Sequence, residues 1–293
     1  MTPINPHSCY SKKHLSVYLK DHKIALTKKR GQNFLIDPNV LGKLVEAAQI
    51  TEGDWVIEIG GGFGHLTKFI AETKANLVVF EVDKKLAKIL KEQFHPFPHV
   101  QIVWIDFLKA SIRDYIPKTI ETVKVLANLP YSITTPILEH CFRDRRLIES
   151  MIFTVQKELA ERVIGVAGTS EYGSLSVFCQ SYSKPTLLFP ISKHVFYPKP
   201  DVESAALFFD LNKVPLQIMD DTLFRDVLKS IFSMRRKTLY NSLVKSPFID
   251  LSPKEVRKSL ELCSMNPDLR GEGLMPLQFI ELANRIYQIK NNG

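Results

Sequence analysis

The stretch Val56-Ile57-Glu58-Ile59-Gly60-Gly61-Gly62-Phe63-Gly64 joins an apolar segment to a cluster of glycines. The apolar residues predict a buried β-strand. The glycines predict a tight turn in which the backbone can approach a ligand without a clashing Cβ atom. In open α/β sheets, ligands bind at the carboxyl ends of the strands. Taken alone, the motif fits a ligand-binding turn and a purely structural strand-to-helix turn equally well.

The spacing of the glycines distinguishes two classes of nucleotide-containing cofactor. Dinucleotide-binding turns follow the pattern GxGxxG, whose third glycine would fall on His65 of this chain. The chain instead has GxGxG at Gly60, Gly62 and Gly64, which resembles the turn of methyltransferases that use S-adenosylmethionine. The spacing therefore favours S-adenosylmethionine over NAD, and we take Gly60 and Gly62 as cofactor-binding residues.

Two carboxylates stand at the ends of the next two predicted strands. Glu81 comes about 20 residues after the glycines, where a carboxylate suits hydrogen bonds to ribose hydroxyls. The structural alternative, capping of the following helix, is better served by Asp83. Asp106 could accept a hydrogen bond from an adenine amine of the cofactor, whereas Phe107 beside it is expected to be a core residue.

Strands alternate with helices through much of the chain. We predict helices at 65–72 and 84–93 and strands at 55–59, 77–81, 100–105, 123–127, 151–155, 186–189 and 205–211. This alternation is typical of a doubly wound α/β fold. The predicted fold is a Rossmann-like class I methyltransferase sheet, mostly parallel, with 205–211 as an antiparallel edge strand.

The chain is expected to have three regions. Residues 1–26 are expected to form an irregular leader, residues 27–213 the methyltransferase domain and residues 214–293 a small helical domain. The last region contains the patterns expected of helices at 223–233, 237–244, 253–262 and 276–289.

The decisive motif is Asn128-Leu129-Pro130-Tyr131, at the end of the fourth predicted strand. The exocyclic amine of adenine, N6, is a poor nucleophile because its lone pair is delocalised into the ring. Acceptors for its two hydrogens, the amide oxygen of Asn128 and the carbonyl of Leu129 or Pro130, would favour a tetrahedral amine that can attack a methyl group. Pro130 would keep these acceptors aimed, and Tyr131 would offer a face on which an extruded base can stack.

The charge of the chain favours a polyanionic partner. The 293 residues include 39 Lys and Arg against 31 Asp and Glu, a net charge of +8. Basic runs are often only solvated surface, but with this balance two of them are candidate RNA contacts. They consist of Lys28, Lys29 and Arg30, and of Arg235, Arg236 and Lys237.

Other classes of protein are disfavoured by what the sequence lacks. No apolar run reaches the roughly 18 residues of a membrane helix, and the N-terminal region has no apolar core of an export signal. We therefore expect a cytoplasmic protein without a membrane contact, acting as a monomer. The four cysteines form no CxxC pair and the eight histidines show no ligand spacing, so no metal site is predicted.

A family resemblance joins these motifs. Five segments occur in order and together resemble the small-subunit ribosomal RNA adenine dimethyltransferase family: Gly31-Gln32-Asn33-Phe34-Leu35, the Gly60–Gly64 turn, Asn128–Tyr131, Phe196–Ser204 (FYPKPDVES) and Arg236–Leu243 (RKTLYNSL). The resemblance runs from residue 28 to about residue 285. It implies dimethylation of N6 on two adjacent adenines in the hairpin near the 3′ end of 16S rRNA, within small-subunit biogenesis.

The resemblance also implies roles for particular residues. Asn33 and Leu35 would contact S-adenosylmethionine from the N-terminal turn, and Tyr131 and Phe196 would sandwich the target adenine. The residues that would complete the cofactor site are Gly60, Glu81, Asp106 and Asn128. Two positions depart from the family pattern: Gly61 replaces a common proline, and Tyr240 replaces a common arginine, which could remove one RNA phosphate contact.

Three alternatives remain at this point. A large-subunit rRNA methylase of the antibiotic-resistance type would use the same chemistry, and sequence separates it imperfectly from the small-subunit type. A non-catalytic nucleic-acid-binding factor with the same fold is disfavoured by the intact Asn128–Tyr131 motif. A nicotinamide-dependent oxidoreductase is disfavoured by His65 in the glycine turn.

Overall fold

The computed structural model describes residues 33–212 and 216–291, together with Leu15, Val17 and Leu19. The first elements are β1 (Phe34–Leu35), α1 (Pro38–Ala47), β2 (Trp55–Ile59), α2 (His65–Ala71), β3 (Asn76–Glu81), α3 (Lys84–Phe94), β4 (Val100–Trp104), β5 (Val123–Asn128), α4 (Thr134–Arg143) and β6 (Ile148–Gln156). They are followed by α5 (Lys157–Val163), α6 (Ser174–Tyr182), β7 (Lys184–Ile191), β8 (Phe196–Tyr197), β9 (Ser204–Asp210), α7 (Asp221–Ser233), α8 (Leu239–Val244), α9 (Pro253–Leu262) and α10 (Pro276–Asn291).

Within the described residues, seven strands form one sheet in the order β4-β3-β2-β5-β6-β9-β7. Strands β4, β3, β2, β5 and β6 are parallel neighbours, and β9 pairs with β6 antiparallel. The predicted fold class is therefore confirmed. The position of the antiparallel strand differs from the prediction, because β9 lies inside the sheet and β7 forms its edge.

The order of the strands creates a binding crevice. The chain leaves β2 to build β3 and β4 on one side of it, and returns to build β5 and β6 on the other. Where the direction of winding reverses in this way, the loops at the carboxyl ends of the strands separate and leave a cleft. The glycine turn after β2 and the segment after β5 both lie at this edge of the sheet.

The chain divides into two compact units, Met1–Ala160 with Thr186–Asn212, and Glu161–Pro185 with Lys213–Gly293. The second unit is larger than the helical domain expected from the sequence, which began at residue 214. The addition is explained by α6, which packs against α7 and α10. The Tyr182 hydroxyl donates to Oδ1 of Asp221 at 2.7 Å, and its ring meets the Phe224 ring edge-on.

Most of the irregular leader predicted for residues 1–26 lies outside the described residues. Its three described residues, Leu15, Val17 and Leu19, are helical. The side chains of Leu15 and Leu19 are buried in an apolar cluster that includes Phe63 of the glycine turn. Part of this segment therefore belongs to the packed core. In the described part of the chain, no helix is long and apolar enough to cross a membrane.

Gly61 is explained by the packing beneath the glycine turn. An ideal Cβ atom on Gly61 would lie 2.5 Å from Cγ1 of Val79 and 2.8 Å from Cδ1 of Leu90. Both neighbours are fully buried in the main core cluster. The volume that a proline ring would occupy here is already filled by these two side chains.

We therefore expect Gly61→Ala to lower the free energy of unfolding by about 1–2 kcal/mol, because an overpacked core must shift to admit the methyl group. Urea denaturation measures the change. Gly42→Ala, in the middle of α1, is the matched control, because its Cβ would meet Phe69 at an ordinary 3.7 Å. The control should be neutral or stabilising. Equal stability of Gly61→Ala and the wild type would contradict the packing argument.

Candidate active site

A cavity of about 330 Å³ opens at the carboxyl ends of β2, β3, β4 and β5. Seven of the residues predicted from the sequence line it, namely Asn33, Gly60, Gly62, Glu81, Asp106, Asn128 and Pro130. These residues come from five separate segments of the chain. Their convergence follows from parallel strand pairing, which brings the carboxyl ends of neighbouring strands to one edge.

The glycine turn has the backbone geometry that the sequence predicted. Gly60, Gly62 and Gly64 have φ angles of +79°, +57° and +80°. Residues with a Cβ atom rarely adopt this backbone conformation. A Cβ on Gly60 would meet no atom within 4 Å, whereas one on Gly62 would lie 3.0 Å from the ring of Phe34. The space beside Gly60 is thus open toward the cavity.

Glu81 links this turn to the end of β3. Its Oε2 accepts a hydrogen bond from the Gly62 amide at 2.9 Å, and its Oε1 accepts one from the Asp83 amide at 2.8 Å. Burial raises the pKa of the Glu81 carboxyl, which is 4% exposed. The two amide donors offset part of this rise, and the pKa stays above its ordinary value. Asp83 caps α3 by accepting from the amides of Lys85 and Leu86, as predicted. The Glu81 carboxylate therefore does not serve as the helix cap.

The segment just after β4 forms another wall of the cavity. Asp106 lines the cavity, and its Oδ1 accepts a hydrogen bond from the Leu108 amide at 3.1 Å. Phe107 is buried as expected, with its ring edge-on to Phe80 at 5.3 Å between centroids. Both rings line the cavity, which gives this end an apolar floor beside a carboxylate.

Asn128 is held from two sides at the end of β5. Its Nδ2 donates to the main-chain carbonyl of Asn33 at 2.7 Å, and its Oδ1 accepts from the hydroxyl of Thr154 on β6. The Leu129 amide donates to the Thr154 carbonyl at 3.3 Å. Asn128 was predicted from the sequence. Thr154 was not, because its hydrogen bond to Asn128 joins residues 26 positions apart and leaves no local pattern.

Pro130 and Tyr131 continue this segment. The Pro130 carbonyl accepts from the Ile133 amide at 3.1 Å and from the Thr134 hydroxyl at 3.3 Å. Tyr131 is half-buried, and its hydroxyl shares a hydrogen bond of 2.7 Å with Ser204. Burial raises the pKa of Tyr131. The Pro130 carbonyl is thus engaged within the chain, and the Tyr131 ring is anchored at its hydroxyl end.

Four of the predicted catalytic and cofactor-binding residues do not line this cavity: Leu35, Leu129, Tyr131 and Phe196. Phe196 is only 1% exposed, because β8 pairs antiparallel with β1 and the ring packs in the main core cluster. Leu35, its register partner, is buried in the same cluster. In this structure Phe196 does not line the cavity, and its expected place in a sandwich around the target adenine stays a prediction.

Only one of the two basic clusters predicted to contact RNA lies within the described residues. Lys28, Lys29 and Arg30 lie outside the described residues. Arg235, Arg236 and Lys237 are exposed in the helical unit, just after α7. One guanidinium nitrogen of Arg235 donates to the Tyr172 carbonyl at 2.8 Å, which fixes part of this cluster. Among the described side chains, no three His, Cys, Asp or Glu residues are close enough to hold a metal ion.

Glu58 is a second residue near the site that was not predicted from the sequence. It lies in β2, two residues before Gly60, and is 1% exposed. Burial raises the pKa of its carboxyl to about 8; a hydrogen bond from Thr67 opposes the shift and the charge of Glu81 adds to it. A single carboxylate within an otherwise apolar strand was the available signal.

Comparisons with known proteins agree with this geometry. The family model described as ribosomal RNA adenine dimethylase matches residues 24–267. The Ribosomal RNA small subunit methyltransferase A of Lysinibacillus sphaericus (strain C3-41) is 37% identical over 276 residues, which cover 92% of this chain and 94% of that protein. The protein of the same name from Listeria monocytogenes serotype 4a (strain HCC23) is 38% identical over 273 residues, covering 91% and 92%.

Two solved structures share the fold. A dimethyladenosine transferase from Plasmodium falciparum has a TM-score of 0.73 and 23% identity, covering 87% of this chain and 97% of that one. The 23S rRNA methyltransferase ErmE has a TM-score of 0.65 and 24% identity, covering 87% and 100%. At such identities the likeness concerns the fold. The match of the family model to most of the sequence, together with relatives near 37% identity over nearly the whole chain, means that this chain belongs to the ribosomal RNA adenine dimethylase family.

Proposed function

We propose that this chain transfers methyl groups from S-adenosylmethionine to N6 of two adjacent adenines in the 3′-terminal hairpin of small-subunit (16S) rRNA. The proposal rests mainly on the position of Asn128. Its side-chain amide is fixed by two hydrogen bonds at the wall of the cavity. The names of the curated relatives support the small-subunit target. The enzyme would act in the cytoplasm, as a monomer, on the rRNA of a small-subunit precursor.

The residues of the cavity fit S-adenosylmethionine. When bound, this cofactor supplies an electrophilic methyl group on a sulfonium. The open space at Gly60 would admit its amino-acid portion, and Glu81 has further lone pairs for the ribose hydroxyls. Asp106 would accept from the adenine amine, with Phe80 and Phe107 as an apolar floor. Asn33 would contact the cofactor from the N-terminal turn.

Glu81→Gln is expected to weaken binding of S-adenosylhomocysteine about tenfold, because a charge-assisted hydrogen bond becomes a neutral one. The new amide group would also place a donor against the amide of Gly62 or Asp83. Isothermal titration calorimetry measures the affinity. Glu46→Gln, an exposed position on α1, is the control. Unchanged affinity in Glu81→Gln would remove Glu81 from the cofactor site.

Two acceptors of this chain would activate the target amine. Oδ1 of Asn128 would accept a hydrogen bond from one N–H of N6, and the carbonyl of Leu129 would accept one from the other. The Pro130 carbonyl is the weaker candidate, since it already accepts from Ile133 and Thr134. With both hydrogens held, the lone pair of N6 is less delocalised into the ring and points at the methyl group. Positioning of this kind supplies acceleration without a strong base.

The side chain of Tyr131 would receive the extruded adenine. Its ring is anchored through Ser204, so a base can stack on it with little loss of side-chain entropy. Phe196 would be the second face of the sandwich, and its buried ring would have to become accessible when the adenine binds. The two basic clusters would contact RNA phosphates. They are the exposed Arg235, Arg236 and Lys237, and Lys28, Lys29 and Arg30.

Incubation with ribosomal subunits tests the function. Unmethylated small subunits, separate large subunits and S-adenosylmethionine with a labelled methyl group are combined, and the modified adenines are mapped. We expect four methyl groups per small subunit, two on each of two adjacent adenines. Label confined to large subunits would favour the antibiotic-resistance type, and absence of label from both would favour a non-catalytic binding factor.

A further inference from the structure

Thr154 makes two hydrogen bonds to the segment that carries the acceptors. In the sheet register it lies directly beside Asn128, and its side chain is 1% exposed. Its hydroxyl donates to Oδ1 of Asn128, while its carbonyl accepts from the Leu129 amide at 3.3 Å. One residue of β6 therefore contacts both residues whose oxygens would hold the target amine.

The two ends of the Asn128 amide are distinguished by their partners. A main-chain carbonyl can only accept, so the end of the amide facing Asn33 must be the NH2 group. The hydroxyl of Thr154 donates to the opposite end, the oxygen. An amide turned by 180° would set its NH2 group where a donor amine arrives, and two donors would then face each other.

We propose that Thr154 is a positioning residue for methyl transfer, which rests on the proposed function. A side-chain carbonyl oxygen can accept two hydrogen bonds. The Thr154 hydroxyl takes one acceptor direction of Asn128 Oδ1 and so fixes the direction of the other, which is left for N6. Because Thr154 is buried, water does not compete for its hydroxyl, and the rotation of the Asn128 side chain stays restricted.

Strand packing alone does not require a hydroxyl at this position. Ile152, which shares a face of β6 with Thr154, is buried and apolar, as are Phe153 and Val155 on the opposite face. Valine has nearly the shape of threonine and suits a buried strand. Thr154→Val therefore removes the hydroxyl with little change of volume, and Thr154→Ser keeps the hydroxyl while losing a methyl group.

The test uses both variants in the full-length protein with unmethylated small subunits. With S-adenosylmethionine saturating, we expect Thr154→Val to lower kcat about 10- to 100-fold, since small misplacements of a reacting group have effects of this size. The KM for subunits, the affinity for S-adenosylhomocysteine and the Tm should stay near wild type. Thr154→Ser should restore most of kcat. Wild-type kcat in Thr154→Val, or equal losses of kcat in both variants, would overturn the proposal.

A second readout does not depend on activity. In ¹⁵N–¹H spectra, the side-chain NH2 signals that disappear in Asn128→Ala belong to Asn128. We expect these signals to shift in Thr154→Val and to keep their wild-type positions in Thr154→Ser. Unshifted signals in Thr154→Val would overturn the positioning role. An inactive wild type would instead count against the proposed function, while this spectrum would still decide whether Thr154 orients Asn128.

Discussion

Asn128→Ala is expected to lower the rate of methyl transfer by about 10²–10³-fold while the protein stays folded. The change removes the side-chain acceptor for the target amine, and loss of one such preorganised group costs about 10²–10³-fold in comparable sites. It also removes the hydrogen bond to the carbonyl of Asn33, the residue just before β1. The affinity for S-adenosylhomocysteine should therefore fall only modestly.

Single-turnover kinetics with saturating S-adenosylmethionine measure this loss, and calorimetry measures cofactor binding. Asn39→Ala, at an exposed position on α1, is the matched control and should keep wild-type activity. If Asn128→Ala retained activity within tenfold of wild type, the amide oxygen would not be the main acceptor for N6. If it lost cofactor affinity as severely as activity, Asn128 would belong to the cofactor site rather than to the methyl-transfer step.

The sequence predicted the secondary structure best where local patterns are strong. The predicted helices at 253–262 and 84–93 correspond to α9 and α3, because apolar spacing and capping residues define both. The grouping of α6 with the C-terminal helices was not predictable in this way, since it depends on contacts such as that between Tyr182 and Asp221. The internal place of β9 likewise depends on which strand β7 pairs with, and no local pattern encodes that choice.

The same distinction applies to the site. Glu81 and Asn128 were predicted to share the cavity because each ends a parallel strand, and this geometry needs no knowledge of side-chain packing. Thr154 was missed because its role depends on a register between β5 and β6. The burial of Phe196 was not predicted, because it follows from a two-residue pairing with β1 that packs the ring in the core.

Glu58 should make the stability of the protein depend on pH. Burial raises the pKa of this carboxyl to about 8 in the folded state, against its ordinary value of 4.5, and its Oε2 lacks a hydrogen-bond partner among the described residues. Between these two values the unfolded chain has lost the proton while the folded chain keeps it. Raising the pH through this interval therefore favours unfolding, with a slope of at most about 1.4 kcal/mol per pH unit.

The pH dependence of the free energy of unfolding should differ between the wild type and Glu58→Gln, whose side chain stays neutral. From about pH 5 to about pH 8, the free energy of unfolding of the wild type should fall by about 3 kcal/mol relative to the variant, and the difference should level off at higher pH. Urea denaturation at each pH measures it. Glu46→Gln, an exposed carboxylate on α1, should track the wild type. Parallel curves for the wild type and Glu58→Gln would mean that Glu58 ionises in the folded protein near its ordinary pKa, and that the strand beneath the glycine turn carries a buried charge.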